Sequence, residues 1–191
     1  MPRLLPSAMM PIALNEARWC HGLMKILWFL SVAFFLVATG VFAPAQAADC
    51  SALPRAGIDW RSCDLTGTDF PGAELSGANL RGAALSNADL SGGDFSDIDG
   101  YRVRFVESNL VGANFDGATL TDARFDRADM TGASFVGVSA RGTKFLFANL
   151  TGADFTDASL RNVDFTGADL SGATWTDGTK ICAEGSLGLC R

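Results

Sequence analysis

One periodicity constrains this chain more than anything else in it. From Trp60 to Trp175 every fifth residue is Leu, Phe, Met or Trp at 22 of 24 positions, and only Gly100 and Ala140 break the rule. The register runs through 116 residues without an insertion. A period of five fits neither an α-helix, which repeats at 3.6, nor a plain strand, which repeats at 2. It fits a chain that turns two side chains inward and then changes direction.

The other positions of the repeat agree. Two residues before the large one sits a small residue, most often Ala, as at Ala73, Ala78, Ala83, Ala88, Ala113, Ala118, Ala123 and Ala128. Just before it sits Asp or Asn, as at Asp69, Asn79, Asp89, Asn109, Asn114, Asp129, Asn149, Asp154 and Asp169. Two residues after it Gly dominates, as at Gly67, Gly72, Gly77, Gly82, Gly112, Gly117, Gly132, Gly152 and Gly167. Gly and Asn tolerate the backbone angles of tight turns, and Asp and Asn bond to nearby backbone.

This pattern, Ala-(Asp/Asn)-Leu-x-x over residues 60–177, resembles the pentapeptide-repeat family. The resemblance implies an all-β fold, a right-handed quadrilateral β-helix with four pentads per coil and the large side chain on the axis. The sequence offers its own check of that number. Arg104, Arg124 and Lys144 recur at twenty, as do Arg61 with Arg81 and Arg141 with Arg161, and the two gaps lie forty apart. At the intermediate step of ten the basic residues do not recur. Twenty-four pentads then make about six coils, a rod of about 29 Å at ~4.8 Å per coil. Phe at every second large position from Phe95 to Phe165 falls on two opposite faces. Ile98 and Val138 stand where Ala is usual, beside Gly100 and Ala140, so the gaps are expected to be core that neighbours fill.

The first quarter reads differently. Lys25, the apolar run of residues 26–42, and then Ala43-Pro44-Ala45-Gln46-Ala47-Ala48 make an export signal, with Ala45 and Ala47 at the small-residue positions and cleavage after Ala47. Met24 fits as the true start. The alternative is an uncleaved membrane anchor at the lower limit of length. Exported, the chain is expected in the periplasm or outside the cell. Residues 1–47 carry three basic and one acidic residue, so the mature chain keeps 12 basic and 20 acidic residues, a net of −8. Four Cys remain: Cys50, Cys63, Cys182 and Cys190. An even number in an exported chain suggests disulfides. Three pairings are possible, and closeness in sequence favours Cys50–Cys63 and Cys182–Cys190. A zinc site is the weaker alternative, since the spacings are long and the only His lies in the leader. A solenoid needs covered ends. Residues 48–59 and 178–191, just outside Trp60 and Trp175, are expected to be the caps. The tail is too short for the dimerising helix that the resemblance suggests for some members.

Without His, the mature chain holds no Ser-His-Asp, Cys-His or His-metal set. Its Asp residues recur as turn residues. Residues 94–100 lack the alternation of a calcium loop. Nothing selects a glycosidase-like carboxylate pair, and a solid rod has no cleft. No catalytic residue, cofactor, metal or small-molecule substrate is therefore expected. The acidic balance also argues against nucleic acid.

The charges are sorted, however. One edge collects Arg61, Arg81, Arg102, Arg104, Arg124, Arg141, Lys144 and Arg161, against Asp64, Asp122 and Asp164, while the other three edges hold 15 acids and one base, Arg127. This is either a solvated edge with local pairing or an anion-binding ridge for a polyanionic surface or an acidic protein. Val106, Leu146 and Phe147 are expected outside on one edge, either as a small second contact patch or as scattered apolar surface. The sequence thus points to a non-enzymatic structural or binding module. The alternative implied by the resemblance is a DNA mimic that binds DNA gyrase through its acidic surface.

Overall fold

The computed structural model describes residues 48–191. The expected export signal, its anchor alternative and the Met24 start fall in residues 1–47, outside the described residues. From residue 59 to residue 174 the backbone is a ladder of isolated parallel bridges, and every bridge joins residues twenty apart, from Asp59–Asn79 to Asp154–Thr174. Each coil therefore has four sides of five residues. The β-structure is one bridge wide per side, because each turn follows at once.

Two sets of backbone hydrogen bonds hold the coils. From Trp60 to Phe155 the amide of each residue at the large position donates upward, as Trp60 does to the Asn79 carbonyl (2.9 Å) and Phe105 to Arg124 (2.7 Å). The amide of the preceding residue donates downward, as Asn79 does to Ile58 (2.9 Å). At most corners a further amide closes a four-residue turn, as from Cys63 to the Trp60 carbonyl (3.0 Å). From Ser62 to Gly172 the third residue of that turn has positive φ, which defines a type II turn and favours Gly. Where Gly is missing, other residues adopt the angle: Asn87 and Asp97, but also Arg102, Glu107, Arg127 and Phe147. The Asp or Asn before the large residue accepts the amide two residues on, as Asp64 does from Thr66 (3.1 Å) and Asn149 from Thr151 (3.2 Å).

The core is a column on the axis. Its first face carries Trp60, Leu80, Gly100, Leu120, Ala140 and Leu160; its second carries Leu65, Leu85 and then Phe105, Phe125, Phe145 and Phe165. The third is mainly Leu, and the fourth runs Leu75, Phe95, Phe115, Phe135, Phe155, Trp175. Phe rings twenty apart stack at 4.9–5.2 Å between centroids from Phe95 to Phe165. The two stacks meet edge to face across the axis, as Phe115 does with Phe125 at 5.6 Å. Both arrangements suit the ring quadrupole.

Gly100 leaves no void. A methyl there would lie 2.9 Å from Leu120 Cδ2 and 3.1 Å from Val103 Cγ1. Ile98 and Val138, both buried, accompany this packing, but Leu120 and Val103 also close on Gly100 from the next coil and the next face.

Disulfides join Cys50 to Cys63 and Cys182 to Cys190, across 13 and 8 residues. At the C-terminal end the tail folds back in antiparallel bridges, Asp169–Leu187 and Thr174–Ile181. This lid covers the third and fourth faces. Leu160, Val163 and Phe165, on the first and second faces of the last coil, stay only partly buried.

Candidate functional site: a basic ridge with a recess

The eight basic residues come together along one corner and one face, in three columns set by the twenty-residue ladder. Arg61, Arg81, Arg141 and Arg161 occupy the first turn position after the first face, the column that also holds Tyr101. Arg102 sits at the positive-φ position beside them. Arg104, Arg124 and Lys144 stand on successive rungs of the second face, since Arg104 bridges Arg124 and Arg124 bridges Lys144. Rungs one coil apart lie ~4.8 Å apart. This cationic run is bounded on its own column by Ala84 and Asp64 at one end and by Asp164 at the other.

The ridge is less naked than its own edge suggests. Three carboxylates from neighbouring columns reach into it: Asp59 pairs with Arg61, Asp99 with Arg81 (3.0 Å) and Asp126 with Arg124. Asp122 lies 3.8 Å from Arg102. Exposed pairs of this kind contribute ~0–1 kcal/mol each. Asp126 is the exception in setting, being buried with one oxygen on Arg124 and the other without a hydrogen-bond partner. Arg104, Arg141, Lys144 and Arg161 pair with no carboxylate among the described residues. Tyr101 stands among the basic residues mid-ridge, just after Gly100. Its ring lies between Arg81 and Arg102, 4.7 and 4.8 Å from their guanidinium carbons, which fixes both side chains by cation–π contact.

Midway along the ridge lies an open recess of about 460 Å³ lined by Arg102, Arg104, Asp122, Arg124, Gly142 and Lys144. Gly142 shapes its floor, for a methyl there would come within 2.6 Å of Asp122 Oδ1. Several ridge-side carboxyls have lowered pKa values. Asp59 is held down first by its hydrogen bond to the Arg61 guanidinium, and Asp64 and Asp164 first by the hydroxyls of Thr66 and Thr166. More distant contributions come from Arg104 and Lys144.

Of the two readings of Val106, Leu146 and Phe147, scattered apolar surface fits better than a patch. Val106 and Leu146 are half-buried at their corner, where the buried Asp126 sits between them, and only Phe147 stands out, 62% exposed. Among the described residues no group of three or more His, Cys, Asp or Glu side chains could hold a metal ion.

No curated protein matches the chain. Among solved structures it is similar to the pentapeptide repeat protein Rfr23 from the cyanobacterium Cyanothece 51142, at 22% identity, over 61% of this chain and 90% of that one, with a TM-score of 0.39. It is similar to a pentapeptide repeat protein of the Arabidopsis thaliana thylakoid lumen, at 26% identity, over 68% and 84%, with a TM-score of 0.37. It is also similar to full-length QnrB1, a plasmid-mediated fluoroquinolone resistance protein, at 19% identity, over 70% and 80%, with a TM-score of 0.36. The family model for pentapeptide repeats matches eight copies at residues 61–97, 108–146 and 133–172. With its ladder of twenty-residue rungs and these matches, the chain belongs to the pentapeptide-repeat family.

Proposed function

We propose that this protein is an exported, non-enzymatic binding module, a right-handed column of about six coils that docks a polyanionic partner along its basic ridge. One observation carries the reading: in a chain rich in Asp, Arg104, Arg124 and Lys144 are stacked on adjacent rungs, and two of the three are left without a carboxylate among the described residues. Like charges at that spacing repel, and a bound counter-charge relieves the repulsion. The leader-like residues 1–47 and the two disulfides support export, since such bonds persist in oxidising compartments.

The test has two arms. Retention of the mature chain on an anionic resin is expected to fall, and its salt dependence to flatten, when Arg104, Arg124 and Lys144 are changed to Glu. Unchanged retention rejects the ridge. Cell fractionation with N-terminal sequencing is expected to find an exported product beginning at Ala48. A cytoplasmic product that keeps residues 26–42 instead favours the second reading, a DNA mimic that binds DNA gyrase. That reading draws on the 15 acids outside the ridge edge.

A further inference from the structure

We infer that the recess on the ridge is a site for a phosphate monoester, a single terminal phosphate carrying its full double charge. The inference rests on the ridge reading and narrows it. Four cations line the recess or its rim: Arg102, Arg104, Arg124 and Lys144. Two carboxylates offset them, Asp122 in the lining and Asp126 behind Arg124. Among the lining residues and their direct ion pairs a surplus of two positive charges remains, with Asp64 and Asp164 outside the lining on the same column. A phosphate monoester carries about −1.5 to −2 at pH 7 and matches that surplus. A phosphodiester, a sulfate ester or a carboxylate carries only a single charge and leaves part of it unbalanced.

Geometry supports the same ligand. Arg124 is held by Asp126 and Arg102 by the Tyr101 ring, so two guanidinium planes are positioned before anything binds. Arginine forks suit oxyanions with several oxygens, and preorganised side chains lose less freedom on binding. Arg104 and Lys144 lie one rung to either side of Arg124 and can close on a group placed between them. Gly142 leaves the floor open where any side chain would crowd Asp122. Asp64 and Asp164 bound the cationic run of this column, so that within a partner docked along the ridge the recess takes one compact group.

The test is an NMR titration of the full mature chain with methyl phosphate and, separately, dimethyl phosphate at constant ionic strength. Saturable shifts centred on Gly142 and Lys144 are expected with methyl phosphate, at least tenfold tighter than with the diester. Binding should weaken below about pH 6, where the second phosphate proton returns. The pair Arg104→Gln with Lys144→Gln should lose at least tenfold in affinity, while Arg61→Gln with Arg161→Gln, on the same ridge outside the recess, should lose less than twofold. Equal affinity for the two esters, shifts that do not saturate, or equal losses from the two variant pairs would each overturn the site. If the recess fails while the Glu variants still lose resin retention, the ridge stands without this ligand; if both fail, the ridge reading falls too.

Discussion

At the scale of the residue, the turn position two after the large side chain is the most exacting in the chain. From Ser62 to Gly172 it has positive φ whatever occupies it, and Phe147 is its least suited occupant, a bulky side chain at φ 57°. Left-handed backbone costs a non-Gly residue about 1–2 kcal/mol, offset in part by the flexibility that Gly adds to the unfolded chain. Phe147→Gly is therefore expected to raise stability by about 0.5–1 kcal/mol and Tm by about 2 °C, measured by thermal melts of the mature chain. The ring lies over Gly167, where an added methyl would collide with Phe147 Cδ1. Gly167→Ala should accordingly cost more in the parent than in the Phe147→Gly background, a non-additivity that a double-mutant cycle reads directly. The positions of these turns are legible from the five-residue register alone. Which carboxylate meets which arginine is not. Asp59, Asp99 and Asp126 belong to columns beside the ridge, and long side chains crossing a corner leave no periodic trace. Val106 and Leu146 hold outward positions of the repeat, yet the corner around Asp126 half-buries them.

At the scale of the element, the Phe stacks are the spine. Phe135 is fully buried and stacks on Phe115 and Phe155 at 5.1 and 5.0 Å, with Phe125 and Phe145 edge-on at 6.2 and 5.8 Å. Phe135→Ala should cost about 3–5 kcal/mol in denaturant unfolding. Phe165→Ala should cost less, since Phe165 lies in the last, partly exposed coil. Gly100 separates packed core from an open slot. Gly100→Leu should destabilise by at least about 1–3 kcal/mol, because Leu120 and Val103 already fill the place; a neutral result would mean that the gap is open space. The alternation of Phe between opposite faces was readable from sequence, because a coil of four pentads puts every second pentad on an opposite pair. How the last coil is covered was not, because the antiparallel return of residues 181–187 follows no repeat.

At the scale of the whole molecule, acidity is both turn chemistry and charge. Asp49, Asp64, Asp164 and Asp169 have carboxyls lowered first by side-chain hydrogen bonds from Ser51, Thr66, Thr166 and Ser171, and Asp177 is lowered first by the Lys180 amide. A carboxyl that is more acidic folded than unfolded stabilises the fold above the unfolded value and loses that contribution as pH falls through the folded one. Tm should hold between pH 7 and about pH 5 and drop below about pH 4. Asp164→Asn keeps an acceptor for the Thr166 amide, as Asn149 does for Thr151, and should make the acid limb shallower. A steeper limb would contradict this assignment. The constant rung of the ladder also makes the column modular. Excising one full circuit of twenty residues would shorten it and leave every remaining side chain pointing as before. Excising a single pentad would swivel everything downstream by a quarter turn, scattering the aligned cations around the shaft while the interior still found apolar neighbours.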